Sequence, residues 1–360
     1  MNIIFHHPLP LNPLAASASG IRPLKMLEAF QSLGYNVFCI TGYANERRKK
    51  FQELKKMLTQ GVKFDFLYGE SSTMPNALAN KNHIPTSPHL DRDIFIFCQK
   101  QNIKIGIFYR DIYWLFEDYG THLPMVKKLV AKFFYKYDLN VYNKYIDILY
   151  LPSLKMAHYL PIKIRSVKAL PPGHANNLPP ATKAININAP ISLVYIGGIG
   201  SHYSMIELFK AIRRLPDIKL TLCTRLHEWE AVKLAYTPYL APNIQIVHKS
   251  GTDLINLYQN ADIASLLVQP DAYRDFAVPV KLFEYIGFNK PIIATKNTLA
   301  AQFIIDNKLG WVIPYSESAI YNFFLNLNWE SILYQKSEAS IEQNKHTWLA
   351  RAQQVVNDLT

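Results

Sequence analysis

A chain of 360 residues, 49% hydrophobic and 18% charged, is too long for one ordinary core and too apolar for a disordered tail, so two folded domains of comparable size are expected. The net charge is +12 and nearly all of it lies in the first half: residues 1–170 hold 23 Lys and Arg against 12 Asp and Glu, residues 171–360 hold 16 against 15. That asymmetry points to an anionic partner for the first half, and no apolar run approaches the roughly eighteen residues of a membrane-spanning helix.

Cys39, Cys98 and Cys223 lie in apolar runs with no C-x-x-C and no histidine pair nearby, which reads as buried reduced thiols in a cytoplasmic protein. Asn2 to Phe5 reads directly as a first strand, so no signal peptide is expected. A loop rich in Pro, Ala and Ser follows, then a helical pattern from Pro23 (Leu24, Leu27, Phe30, Leu33) that stops at Gly34, then the strand Asn36 to Thr41. This β-loop-α-β unit opens a Rossmann-like domain, whose ligands sit at the carboxyl ends of strands, where Gly20 and Arg22 fall. The G-x-G-x-x-G spacing of a dinucleotide site is missing.

A basic helix spans Ala44 to about Gln60, and Asp91-Arg92-Asp93 opens another helical run, where acidic residues favour the helix dipole. After the strand Lys104 to Phe108 stands Tyr109-Arg110-Asp111-Ile112-Tyr113-Trp114, a group of charge and rings suited to a sugar-binding rim, or else an Arg-Asp pair packed under Trp114. Residues 125–145 form a helix that interleaves five lysines with six Phe and Tyr, as in helices lying in an anionic membrane interface; no nucleic-acid recognition motif accompanies it. The strand Asp147 to Leu151 follows. Regular pattern then fades between about 171 and 190, which marks an interdomain linker.

The second domain restarts with Ile191 to Ile196, which runs into Gly197-Gly198-Ile199-Gly200-Ser201-His202 and a helix, the arrangement of a phosphate cradle. The strand Lys219 to Thr224 ends at Arg225, with Glu228 either orienting that arginine or simply exposed. Ile244 to Val247 leads to Ser250-Gly251-Thr252-Asp253 and a helix with Leu254, Leu257 and Tyr258, and then comes the strand Ile263 to Val268. Val278 to Thr295 reads as a helix behind Pro279, a Gly-Phe-Asn turn and a buried strand. Lys281 and Glu284 share one face of that helix near its start, so they form either an ordinary exposed ion pair or a site for a phosphate and a sugar hydroxyl, served by Val280, Leu282 and the amides of the first turn. Trp311 to Pro314 gives a last strand, and Trp348, Leu349, Ala352, Val355 and Val356 a last helix.

The run P-x-K-L-F-E-Y-x-x-x-x-K-P-I-I-A-T resembles the donor-nucleotide helix of family 4 glycosyltransferases, retaining enzymes of the GT-B fold. The resemblance is strongest over 191–315 and looser over 1–170. It implies two facing Rossmann-like α/β domains, with 1–170 as acceptor domain, 171–190 as linker, 191–340 as donor domain and 341–360 as a helix returning to the first. It implies that Glu284 holds the ribose as the last glutamate of an E-x7-E motif. The first glutamate is replaced by Phe276; Asp275 and Asp271 stand near. Family members carry an Arg and a Lys after the glycine turn, and here Arg225 and Lys281 stand in for them. Ser250 and Gly251 resemble the segment that holds the base, Gly20 and Arg22 match a loop near the diphosphate and acceptor, and Arg110, Asp111 and Trp114 resemble a segment of capsule glycosyltransferases. The D-x-D form of Asp91 to Asp93 is that of metal-dependent GT-A enzymes, but no metal and no other cofactor is expected. The implied function is transfer of a sugar from a nucleotide-sugar, UDP favoured over GDP, to a lipid-linked or saccharide acceptor in surface polysaccharide assembly, by a peripheral protein on the cytoplasmic face of the inner membrane. The alternatives are a catalytically inactive GT-B-like partner protein and a GT-B sugar epimerase. Nucleic acid is not expected as a partner.

Overall fold

Short runs of β-branched and aromatic residues pair in parallel throughout the described residues, which buries them on both faces under helices. The structure is a computed structural model that describes every residue except 14–17, 118, 122, 165, 177, 180–185, 201–202 and 271–277. Two units result: Met1–Pro171 with Trp348–Thr360, and Pro172–Thr347.

In the first unit the chain runs β1 (Asn2–His7), α1 (Ala18–Ser32), β2 (Asn36–Thr41), α2 (Ala44–Thr59), β3 (Phe66–Glu70), α3 (Leu90–Lys100), β4 (Lys104–Phe108), α4 (Met125–Tyr145), β5 (Ile148–Leu151) and β6 (Ser166–Ala169). The sheet order is β2-β1-β3-β4-β5-β6, so the direction of strand addition reverses between β1 and β3. Strands β3 and β6 have no counterpart in the sequence reading. Helix α1 begins five residues before Pro23, so Gly20 and Arg22 lie in its opening turns and not in the preceding loop.

The second unit contains β7 (Ile191–Ile196), α5 (Ile206–Ile212), β8 (Ile218–Cys223), α6 (Leu226–Tyr236), β9 (Ile244–Val247), α7 (Leu254–Asn260), β10 (Ile263–Leu266), α8 (Val280–Gly287), β11 (Ile292–Thr295), α9 (Leu299–Asp306), β12 (Gly310–Ile313), α10 (Glu317–Leu325) and α11 (Trp329–Gln343). Its order, β12-β11-β10-β7-β8-β9, is the doubly wound order of dinucleotide-binding domains and reverses between β7 and β10. Helices α9 and α10 follow β11 and β12, and α11 follows α10; none of the three has a counterpart in the sequence reading.

The last helix, α12 (Trp348–Leu359), belongs to the first unit, where Trp348, Ala352, Val355 and Leu359 join the core under β1, β3 and α1. It comes so close to β4 that a Cβ at Gly106 would lie 2.8 Å from Tyr150 Cε2 and 2.9 Å from Leu359 Cδ1. Gly106→Leu overpacks this contact and is expected to cost about 1–3 kcal/mol, read as a lower midpoint of urea unfolding; an unchanged midpoint would show that α12 yields without cost.

Candidate active site

In sheets of this kind ligands bind at the carboxyl edge where strand order reverses, because the loops there diverge. In the second unit that place is the end of β7 and β10. The glycine turn after β7 is fixed by Tyr195, whose hydroxyl donates to Gly198 O (2.8 Å), and by Gly200, whose φ of +151° favours glycine. Gly197 sits under the Tyr195 ring, and Gly198 faces Glu228, 3.6 Å from where a Cβ would be. Ser201 and His202 lie outside the described residues, as do Asp271, Asp275 and Phe276.

Helix α8 is tied to that turn from behind. Its Tyr285, fully buried, accepts a hydrogen bond from Ile196 N (3.0 Å). On the outer side Lys281 Nζ donates to Glu284 Oε2 (2.6 Å) and to Tyr258 Oη (3.2 Å), while the Tyr258 hydroxyl donates to the same carboxylate oxygen. Glu284 Oε1 is left without a partner among the described residues. Lys281 and Glu284 are each a little over a quarter exposed, so their ion pair is worth little for stability and remains within reach of a ligand. Burial, then the charge of Glu284, raises the Tyr258 phenol far above its ordinary value and keeps it a donor; stacking on Phe288 (4.3 Å) holds its ring. Leu282 is buried and its amide donates to Pro279 O, whereas Val280 opens the helix half-exposed.

Arg225 is exposed and pairs with Glu228 Oε1 (2.5 Å), whose other oxygen accepts from Thr224 Oγ1 (3.2 Å). Glu228 therefore orients Arg225 beside the glycine turn. Ser250 and Gly251 form an exposed turn, Gly251 at φ +58°, that feeds α7 and hence Tyr258. The structure thus gathers Gly197, Gly198, Arg225 and Glu228 on one side, and Lys281, Glu284 and Tyr258 on the other. The role of Tyr258 is visible only in three dimensions: in sequence it is one apolar position of a short helix.

In the first unit the corresponding edge holds a buried network. Glu70, fully buried at the end of β3, accepts from Arg22 Nε (Oε1, 3.0 Å), Arg110 Nη2 (Oε2, 3.0 Å) and the Tyr68 hydroxyl (2.9 Å). The Arg22 guanidinium carbon sits over the Phe108 ring, 3.5 Å from its centroid. Arg110 thus pairs with Glu70 and not with Asp111, which instead accepts from Tyr113 N (2.9 Å). Trp114 is packed inward at 3% exposure, stacked on Tyr135 at 4.9 Å with its indole N–H on the Tyr109 hydroxyl, so its ring faces are used within the unit. Asp91 points into the unit toward His6 (2.6 Å) and Arg47, while Asp93 points out to Arg92; the two carboxylates of the D-x-D run thus face opposite environments. Glu70, the acid that organises Arg22 and Arg110, escaped sequence reading because its strand did.

Residues 184–321 match the family described as Glycosyl transferases group 1. That match lies within the second unit, Pro172–Thr347. The chain as a whole has the GT-B fold of the solved glycosyltransferases. Sucrose-phosphate synthase from Thermosynechococcus elongatus superposes with a TM-score of 0.65 at 14% identity, covering 99% of this chain and 98% of that one. Anabaena HepE, solved with UDP and glucose, gives 0.64 at 12%, covering 100% and 99%. The lipopolysaccharide outer core galactosyltransferase WaaB, in its apo form, gives 0.55 at 12%, covering 100% of both chains. Identities of this size speak for the fold alone. No curated protein sequence matches the chain. The glycine turn and the start of α8, which stand at the switch point of the second unit, both fall within the matched residues.

Two tests follow from the buried groups of the first unit. Glu70→Ala leaves two guanidinium groups without their shared carboxylate and is expected to destabilise that unit by about 3–5 kcal/mol in urea unfolding; a loss within about 0.5 kcal/mol would show that water reaches the site. Asp138, buried on α4 and accepting from Asn76 N (2.8 Å), has its carboxyl pushed up to about 8 by burial. Its folded value lies above its unfolded one, so the folded state holds the proton more tightly and stability falls as pH rises from about 4 toward 8. The stability advantage of Asp138→Asn over wild type should widen between pH 5 and pH 8; a constant difference would show an ordinary carboxyl.

Proposed function

We propose that this chain is a retaining glycosyltransferase that takes a sugar from a nucleotide-sugar, UDP in preference to GDP, and places it on a lipid-linked or saccharide acceptor in surface polysaccharide assembly. The observation that carries the reading is Glu284: one oxygen is held by Lys281 and Tyr258, the other has no partner among the described residues, and the residue stands at the switch point of the unit that matches the group 1 family. A carboxylate held in this way accepts from a ribose hydroxyl without first reorganising.

The chemistry divides among few groups. The amides at the start of α8 and the glycine turn bind the diphosphate, and the helix dipole favours its charge. Lys281 and Arg225 neutralise the negative charge that builds on the leaving diphosphate as the glycosidic bond breaks, and Glu228 keeps Arg225 aimed there. The scheme uses no metal. HepE, of the same fold, is solved with UDP and with UDP-glucose, which favours UDP here. The first unit supplies the acceptor side through the edge around Gly20 and Asp111, with Arg22, Arg110, Trp114 and Glu70 as its packed support.

Calorimetric titration of UDP, GDP, ADP and CMP without metal tests the reading. UDP should bind wild type best, and Glu284→Ala should weaken it by about 1–3 kcal/mol, with a smaller loss for Tyr258→Phe, which removes only the hydroxyl that holds the carboxylate. Failure of every nucleotide to bind wild type at millimolar concentration would overturn the donor assignment and favour a partner protein without catalysis.

A further inference from the structure

Among the described residues, nothing covers one of the two faces of the first half of α4. Of its buried positions, Ala131, Tyr135, Asp138, Leu139 and Tyr142 recur at spacings of three and four and seat the helix on the first unit. Met125, Val126, Leu129, Val130 and Phe133 keep a similar spacing about half a turn away, and they are between 40% and 71% exposed. A helix that is apolar on two sides is ordinarily buried on both.

Charge indicates what covers the open face. Residues 123–163 contain seven lysines, no arginine and only two acidic residues, Asp138 and Asp147. Asp138 is buried and its carboxyl is pushed up to about 8, so it offsets little of the positive field outside. Lys127 and Lys136 are exposed, and Lys128 and Lys132 are half-exposed, on the same turns as the apolar stripe. Protein interfaces are poor in lysine and prefer arginine. An apolar stripe bordered by flexible ammonium groups instead fits the boundary between lipid headgroups and acyl chains, where the stripe enters hydrocarbon and the lysines reach the phosphates.

We propose that α4 docks the first unit on an anionic lipid surface, with Met125, Leu129 and Phe133 entering the acyl region and the neighbouring lysines on the headgroups. The helix lies along the surface; no helix among the described residues is long and apolar enough to cross a membrane. The proposal rests on this face alone and not on the donor-site reading, to which it adds a place where a lipid-linked acceptor would meet the enzyme.

The test is flotation of the full chain with vesicles of phosphatidylcholine, alone or mixed with phosphatidylglycerol. Wild type should float with the mixed vesicles at low salt, be released at high salt, and ignore the neutral ones. The double variant Leu129→Glu with Phe133→Glu should bind the mixed vesicles at least about ten-fold more weakly, as should the triple variant Lys127→Gln, Lys128→Gln, Lys132→Gln. Both variants change only exposed or half-exposed side chains, so each should keep the wild-type circular dichroism and the wild-type titration with UDP. A wild type that ignores anionic vesicles, or a double variant that floats as well as wild type, would overturn the proposal. So would a wild-type dimer that the double variant dissolves, because the face would then belong to a second copy. Flotation by a wild type that binds no nucleotide would support the membrane surface while the donor reading failed.

Discussion

A parallel sheet in which strand order reverses must leave its two middle strands feeding loops that run to opposite sides, and both units of this protein are built on that constraint. The reversal between β7 and β10 separates the glycine turn from the start of α8 by the width of neighbouring strands. Backbone amides on the one side and side chains on the other then face the same opening. The reversal between β1 and β3 does the same in the first unit, but there the opening is occupied by Glu70 and its two arginines. One geometry thus yields an accessible polar site in one unit and a sealed ionic network in the other. The difference lies in what the strand ends carry: small glycines after β7, large charged side chains around β3.

The two ionic clusters differ in energetics as well. Lys281 and Glu284 keep about a quarter of their surface in water, so their attraction is screened and their separation for a ligand costs little. Glu70 is out of water entirely, so it can exist only with Arg22, Arg110 and Tyr68 around it. The first cluster is therefore suited to exchange partners and the second to hold the carboxyl edge rigid. Trp114 follows the same logic, because its stack on Tyr135 and bond to Tyr109 lock the segment after β4 against α4.

Helix α4 links these levels. Its inner face carries Tyr135, Asp138 and Tyr142 into the polar and aromatic core behind β4, while its outer face stays apolar and basic. A helix fixed so firmly on one side presents the other as a rigid surface.

Much of this was legible in the chain alone. Strands Ile191–Ile196, Lys104–Phe108 and Ile244–Val247 and helix Met125–Tyr145 are bounded as their patterns indicate, because buried parallel strands and amphipathic helices write their periodicity directly into sequence. Lys281 and Glu284 were found together for the same reason, since three residues along a helix is a contact. What sequence could not supply are pairings that depend on which strand lies beside which. β3 carries no alternation to announce it, and so Glu70 and its hold on Arg22 and Arg110 came only with the sheet. Tyr258 meets Glu284 across 26 residues, and Trp114 turned inward instead of outward. Local periodicity is a property of the chain and is fixed by it; the choice of partner for a buried charge or ring is settled by the desolvation it would otherwise suffer, and only the folded structure decides that.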